Sequence, residues 1–521
     1  MKSHVQSRSR MKRLLSASQA RLHWVTLPLL VSMLPAFAPS ERPICEVEMT
    51  VALPKDVAQP LGSLFEVIDV SGRPIAGAFA PESSSLFGRS DGRRAQFYVE
   101  PDSIAVLPAQ RLPRPFADIP ASTLFTLEDS LYAVTRPKLG SGLVVLDKTG
   151  WRPVNNRPEL VRNGLQFAVS VQGKVLVASD LGVEWGGSWV FRPEPELAQK
   201  YFYYYSSGTL VAYRYGDTDS GVSSRVSAYH WAPDDPEVDA GLPFASEDLD
   251  IDYPLCFGRI GDRIVFSTNS TKRIYTLDAS GLKAIFEFSG PESWQGYGMV
   301  RYRGSLLVGQ YPTGQCFSTD GLTVQQCSER LPLDAAWSWE LQCFGFFRGR
   351  LVAGVWPWGQ LFGFDGVSWT GLARVFSAPA VEAVSSPFES SASSTGLERN
   401  QWGQRINSIV GFQGELFVST MNKTGSSDGA DAAGGVAGEY GSVTRFKVAN
   451  QLDWQFRWGQ QVTLVFRIWR DRAEVLQDGN VVAVAKGSFE NIKKAVRIRW
   501  GDGVSGEFCG LVSDARFKLG D

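Results

Sequence analysis

The chain has 521 residues, long enough for several cores or one large repeat array, and its 52 glycines and 12% aromatic residues favour an all-β protein rich in turns. Its formal net charge is −2, and setting aside the basic first 38 residues leaves 46 basic against 54 acidic residues, a net −8, which argues against nucleic acid as a partner. Histidine is nearly absent: His4 and His23 fall in those 38 residues and only His230 remains, which excludes a His-rich metal centre and a Ser-His-Asp system.

Residues 1–38 carry Lys2, Arg8, Arg10, Lys12, Arg13 and Arg21 and no acid, then an apolar run from Trp24 to Phe37 ending at Ala36-Phe37-Ala38. Basic, apolar, cleavable is the order of a secretory signal peptide. Pro28 and Pro35 interrupt the run, which is shorter than the ~20 residues needed to cross a bilayer. The expectation is an exported protein, whether secreted, periplasmic or at the cell surface, with no membrane span after cleavage. All six cysteines (Cys45, Cys256, Cys316, Cys327, Cys343, Cys509) lie beyond this segment, and an even number in an exported chain suggests disulfides.

Residues 42–102 form a strand-rich block. Glu46–Val51 alternates, Ser63–Val70 is a second strand, Ile75–Ala80 a third after the Ser71-Gly72 turn, and Ala95–Val99 a fourth. So small an open sheet with apolar faces needs a partner.

Residues 103–450 repeat. Cys343–Trp369 and Gly298–Leu322 share a strand, a turn (Arg348-Gly349, Arg303-Gly304), an apolar strand, an aromatic-Pro-x-Gly loop (Trp356–Gly359, Tyr311–Gly314) and an Asp-Gly turn (Asp365-Gly366, Asp320-Gly321). Equivalent turns fall at Asp129, Gly173, Gly208, Asp262, Gly304, Gly349 and Gly414, each followed by an apolar strand. Four short strands need about this spacing, and radial stacking hides their edges. The units resemble blades of kelch-like and Asp-box-like propellers in FDGVSW at Phe364–Trp369 and LDKTGW at Leu146–Trp151. That resemblance implies a β-propeller, and seven anchors imply seven blades. Residues 377–404 and 422–440, rich in Ser, Ala, Gly and Asp, read as exposed loops.

Residues 451–521 predict five strands: Val462–Trp469, Ala473–Gln477, Val481–Ala485 after the Asp478-Gly479 hairpin, Val496–Trp500 and Gly510–Phe517. TLVFRIWRDRAEVLQDGNVVA and GLVSDARF resemble the second half of a laminin-G-like or concanavalin-A-like jelly roll, and GSLFEVIDVSGRPIAGAF with AQFYV its first half. The resemblance implies a seven-bladed β-propeller inserted into a two-sheet jelly-roll sandwich, because each half alone would leave an apolar face and open edges in water. Cys45 and Cys509, the cysteines of the two halves, are then expected to form a disulfide, as are Cys316 and Cys327 across the Asp320-Gly321 turn. Cys256 and Cys343 are expected to stay thiols.

Candidate ligand-binding residues are the aromatics on the propeller's loops: Trp185, Trp294, Tyr297, Tyr311, Trp337, Trp339, Trp356, Trp358 and Trp402. Flat rings with polar rims suit sugars and protein surfaces alike, and wedging between blades is the alternative role for each. Acids interleave with them (Asp180, Glu184, Glu292, Asp334, Glu340), and Glu292 with Glu340 is the candidate catalytic pair of a glycosidase, which needs two carboxylates across one sugar. No cofactor or metal motif is present; calcium at the sandwich rim, through Asp471, Asp478, Asp502 and Asp514, is the alternative. The expectation is a non-enzymatic recognition protein for a glycan or an extracellular protein. A carbohydrate-active hydrolase or lyase and a structural surface protein are the alternatives.

Overall fold

The computed structural model describes residues 42–520 except 54–60, 82, 86–87, 90–93, 101–108, 120–121, 136–141, 194–198, 219–220, 234, 236–242, 250–251, 270, 290–294, 334–338, 379, 382–403, 422–435, 448–449 and 457–460. The signal-like segment and the two expected loops fall largely outside the described residues.

Period-two strands and tight turns give an all-β chain with many four-stranded antiparallel sheets, the kind that make propeller blades. Among the described residues seven such ladders follow one another, and we number the units by their first strands: Thr123–Leu127, Phe167–Val171, Gln199–Ser206, Pro254–Ile260, Gln295–Tyr302, Glu340–Phe347 and Arg405–Phe412. Six units are consecutive in sequence. The seventh takes its fourth strand, Ala109–Leu112, from before the first unit, with Val443 opposite Leu112 and Phe446 opposite Ala109.

Apolar cores lie between neighbouring units. One joins Phe125 and Tyr132 of unit one to Ala168 and Val175 of unit two, and another joins Val410, Phe412 and Phe417 of unit seven to Leu124 and Leu131 of unit one. With both faces covered, the first strands bury nearly every residue instead of alternating. The turns to the second strand hold both central residues at positive φ at Gln172-Gly173, Ser207-Gly208, Arg303-Gly304, Arg348-Gly349 and Gln413-Gly414. That is the type I′ geometry whose twist suits a two-residue hairpin.

Two five-stranded sheets combine strands from both ends of the chain. One runs Asn480–Lys486, Arg472–Gln477, Gln461–Ile468, Cys45–Ala52, Leu511–Leu519; the other runs Gln451–Gln455, Arg94–Val99, Pro74–Ala80, Gly62–Asp69, Ala495–Trp500. They share one core that includes Val47, Met49, Phe65, Phe97, Trp454 and Phe466, with the Phe466 ring 5.0 Å from both Phe65 and Phe97. The first sheet's Cys45–Ala52 alternates buried and half-buried residues; in the second, Gly62–Asp69, Pro74–Ala80 and Arg94–Val99 are buried on both faces where they pack on units five to seven, and the edge strand Ala495–Trp500 is partly exposed. Phe79 meets Phe346 at 5.2 Å, Arg303 N–H donates to Val504 O (3.1 Å), and Arg348 N–H donates to Gln451 Oε1 (2.6 Å). Arg350 pairs with Glu100 at 3.0 Å across the same joint.

Between Pro74–Ala80 and Arg94–Val99 the chain makes a hairpin, Ser83–Ser85 and Gly88–Arg89, that the sequence reading missed. Ser85 pairs with Gly298 and Ser83 with Val300, adding two strands to unit five. The hairpin touches the first strands of units four, five and six with one arm and of unit one with the other. The hairpin thus lies against the first strands of four of the seven units.

Two cysteine expectations need correcting, since no disulfide joins the described cysteines. Cys45 starts its strand, opposite Ile468 and Leu519, whereas Gly510 packs against Ala52 at the other end. The eight-residue strand between them spans about 23 Å at roughly 3.3 Å per residue, far over the ~7 Å a Cys45–Cys509 bridge allows. Cys316 and Cys327 do face each other, with Cys327 N–H donating to Cys316 O (2.9 Å) and their thiols hydrogen-bonded, but they are not bridged. Cys256 and Cys343 are buried thiols, on Ser267 Oγ (3.0 Å) and Ile406 O (3.4 Å), and burial pushes Cys256 up to about 12.

Candidate functional site

The aromatic-Pro-x-Gly loops turn out to be clasps. In unit five the Pro312 carbonyl accepts the N–H of Trp339 (2.7 Å); in unit six the Pro357 carbonyl accepts the N–H of Gln404 (2.8 Å). Each loop thus fixes the residue just before the next unit's first strand, and the residues so delivered are Glu340 and Arg405. Arg405 Nη2 donates to Glu340 Oε2 at 2.7 Å with Glu340 fully buried. The Arg405 guanidinium also lies 6.0 Å from the centre of the Tyr297 ring, so units five, six and seven meet at this point. Tyr297 stands edge-on to Tyr311 (6.1 Å), which in turn meets Trp356 (5.9 Å). Burial, and after it the charge of Glu340, pushes both tyrosines well above the ordinary phenol range.

A second regularity sets the side chains of this site. In four successive units the pairing of first and second strands slips by one residue, skipping Leu255, Tyr297, Gln342 and Asn407. A bulge of this kind re-aims one side chain and is frequent beside binding sites. Asn407 donates through Nδ2 to Ser122 O (2.6 Å) and Thr123 Oγ1 (2.9 Å) of the first unit, leaving Oδ1 unmet. Gln342, 1% exposed, meets no hydrogen-bond partner among the described residues at either amide atom, and neither does Arg405 Nε. The strands close tightly here: a Cβ on Gly298 would lie 2.7 Å from Gln342 O, and Ser85 of the hairpin pairs with Gly298. The hairpin thus lies along the strand that carries Tyr297, and Glu340 and Arg405 gather at the start of the next two units' first strands.

The sequence candidates divide accordingly. Tyr297 and Glu340 belong to this group. Tyr311, Trp339, Trp356 and Trp358 are buried, at 6, 3, 1 and 2% exposure, so they are wedges of the clasps and not open stacking faces. Trp185 lies elsewhere: its indole N–H donates to Val171 O (2.9 Å) beside the Gln172-Gly173 turn, at the opposite end of unit two, and Lys174 Nζ sits 4.1 Å over its ring. Trp294, Trp337, Trp402, Glu292 and Asp334 lie outside the described residues. Glu184 pairs with Arg162 at 3.2 Å, away from the site. On the five-stranded sheets, Asp478 accepts the Thr463 N–H (2.9 Å) in a turn and Asp502 the N–H of Gly503 (2.8 Å). No group of three or more His, Cys, Asp or Glu suited to a metal occurs among the described residues. Arg405, Gln342 and Asn407 were not singled out from sequence.

Fold and site together define an all-β protein of propeller-like four-stranded sheets, with a polar group where units five, six and seven meet. Compared with known proteins, the chain matches no family model and no curated protein. Among solved structures it is similar to Trypanosoma rangeli sialidase in complex with the inhibitor DANA, at 9% identity over 90% of this chain and 96% of that one, with a TM-score of 0.24. A likeness of that size transfers no residue role to this chain.

Proposed function

We propose that this is an exported, non-enzymatic recognition protein: a seven-bladed propeller carried by a split jelly-roll-like sandwich, which binds a glycan or protein ligand at this site. The observation that carries the reading is the meeting of units five, six and seven at one point, where the Glu340–Arg405 pair lies beside the half-buried ring of Tyr297, on strand bulges repeated in neighbouring units. A bulge re-aims one side chain and is frequent beside binding sites, and the ring of Tyr297 offers a ligand an apolar face with a polar rim. Support for the ring comes from the strand Ala109–Leu112 completing unit seven, and support for the sandwich from the core shared by strands of both chain ends. Export rests on the signal-like first 38 residues. A hydrolytic role has less behind it, because Glu340 is fully buried and held by Arg405.

The test is a glycan array and an extracellular-protein pull-down with the purified full chain, beside Tyr297→Ala and Gln342→Leu. Retention of a ligand by the wild type and its loss in both variants is the expected result. Retention of nothing, or equal retention by the variants, overturns the reading, and polysaccharide turnover abolished by Glu340→Gln replaces it with the hydrolase.

A further inference from the structure

We propose that Cys316 and Cys327 are a redox-active dithiol that takes low-molecular-weight disulfides as its oxidant, with Cys327 as the attacking thiol and Cys316 as the thiol that resolves. The proposal does not rest on the recognition reading. In unit five the strands Cys316–Thr319 and Val324–Gln326 pair with Phe317 opposite Gln326, which puts Cys316 opposite Cys327 one step further along. The Cys327 N–H donates to Cys316 O (2.9 Å), and the two thiols are hydrogen-bonded to each other. Residues opposite one another on antiparallel strands have Cα atoms about 4.5–5.5 Å apart, inside the window of roughly 4.4–6.8 Å that a disulfide needs. The pair can therefore close and reopen a bond with both strands in place.

The two thiols are unlike. Cys316 is 4% exposed, in a core with Leu331, Trp339 and Leu341, whereas Cys327 is half-buried and reaches solvent. The hydrogen bond from the Cys316 thiol holds Cys327 below the ordinary thiol range, against burial and the nearby Glu329; the same bond, with burial, pushes Cys316 well up. Thiolate character and access together make a cysteine reactive. Cys45 and Cys256, buried and pushed up to about 12, have neither. In the reaction the Cys327 thiolate attacks one sulfur of the oxidant RS–SR. The S–S bond breaks, RS⁻ leaves and takes up the proton that Cys327 had released, and a mixed disulfide remains on Cys327. Cys316 then passes its proton to the second RS⁻ as its sulfur attacks Cys327 Sγ and displaces that group. The two protein thiols are oxidised to one disulfide, and the oxidant is reduced to two RSH. Cys316 follows directly on the Tyr311–Gly314 clasp, and a Cβ on Gly314 would lie 3.0 Å from Leu333 Cδ1 and 2.8 Å from Trp339 Cβ. The bond would thus tether the chain on both sides of that clasp.

The experiment incubates the full chain, first reduced and freed of reductant, in buffers of set ratio of reduced to oxidised glutathione. Remaining thiols are blocked with iodoacetamide and the peptides mapped, which separates this pair from the exposed Cys509. We expect Cys316 and Cys327 to be lost together as the ratio falls, joined to each other with no lasting glutathione adduct, and to return when the ratio is raised. Cys316→Ser, or Cys316→Ala if a hydroxyl in that core prevents folding, is expected to trap glutathione on Cys327, with roughly tenfold or more adduct than the wild type. In Cys327→Ser, Cys316 is expected to react at least about tenfold more slowly than Cys327 does in Cys316→Ser. Cys327 left unmodified in the Cys316 variants overturns the proposal, as does an adduct equal in those variants and the wild type, because Cys316 then resolves nothing. Cys316 reacting as fast in Cys327→Ser overturns the assignment of roles. A pair that stays bridged at every ratio is a fixed cross-link, and that result overturns the reversible chemistry.

Discussion

Arg405 donates to Glu340 at 2.7 Å, but its removal reaches further than one bond. Arg405→Ala leaves a fully buried carboxylate without its countercharge, and we expect it to destabilise the chain by about 3–5 kcal/mol in chemical denaturation. Replacing both partners by Leu and Met removes the desolvation cost along with the attraction and should recover most of that loss. A double variant as unstable as Arg405→Ala would show that the pair is not the source. Asp453 gives a pH-dependent counterpart. Burial raises its folded-state pKa, opposed by Arg94 and by the Gly414 N–H it accepts. A raised carboxylate favours folding while protonated, so that share of stability is present below the unfolded value of ~3.9 and is lost as pH rises through the raised one. Asp453→Asn removes the titration, and the melting temperature of the variant relative to wild type should therefore increase from pH 4 to pH 7; a difference independent of pH would remove Asp453 from the account. At this scale the sequence was legible in part. Tyr297 and Glu340 stand out as an aromatic and an acid on the right loops. Gln342 and Asn407 do not, because a bulge is a property of pairing and leaves little in one strand's pattern. Its trace is the small residue after each bulge: Cys256, Gly298, Cys343 and Ser408, which occupy equivalent places in four units.

Turns and loops transmit the repeat into position. Gly349 must hold a φ of 68°, and a Cβ there would lie 2.3 Å from the Tyr98 ring, whereas Gly479 holds a similar φ of 77° with nothing within 4 Å. Alanine at Gly479 should cost only the backbone strain, about 1 kcal/mol. At Gly349 the same strain is joined by a clash with a ring wedged between a five-stranded sheet and unit six, raising the loss to roughly 2–4 kcal/mol. Equal losses in urea unfolding would mean that Tyr98 yields without cost and that the joint is loosely packed. The positive-φ turns were readable because Gly after a polar residue between two apolar strands has few other uses. Strands were readable for the same reason: Glu46–Val51 and Val462–Trp469 alternate, and they pair as Cys45–Ala52 and Gln461–Ile468. The elements missed are short or paired at long range. Ala109–Leu112 finds Val443–Phe446, and Gln451–Gln455 finds Arg94–Val99, across most of the chain. At Tyr311, Trp356 and Trp358 the wedge role holds over the open face, and the sequence left both open, since an aromatic-Pro sequence says where the chain turns but not whether the ring faces water or a neighbouring blade.

A molecule whose sheets borrow strands from distant parts of the chain should not come apart in pieces. Cys45–Ala52 lies between Gln461–Ile468 and Leu511–Leu519, and Ala109–Leu112 completes the unit built from residues 405–446. Separating Ala109–Leu112 from unit seven therefore frees an edge there, and parting the two five-stranded sheets withdraws the one on which the turns of units five to seven rest. The joint between them is also polar and buried, with Glu66 raised by burial despite Arg303 and Arg499, and with Glu100 held by both Arg73 and Arg350. Exposing such groups without either body's support is costly on both sides. Phe466→Ala tests the coupling from the far side: it empties the sandwich core between Phe65 and Phe97, at a cost of about 3–5 kcal/mol. If the two bodies unfold as one, a single calorimetric transition moves down in temperature, and tyrosine and tryptophan signals from units two to four move with it although no residue there touches the substitution. Splitting of the transition, with those units melting at the wild-type temperature, would show instead that the ring stands alone. The group at Tyr297, Glu340 and Arg405 depends on which of these holds, because the hairpin paired to the Tyr297 strand is tied at both ends to a five-stranded sheet; only a chain that melts as one keeps that hairpin against the strand at every temperature at which it is folded.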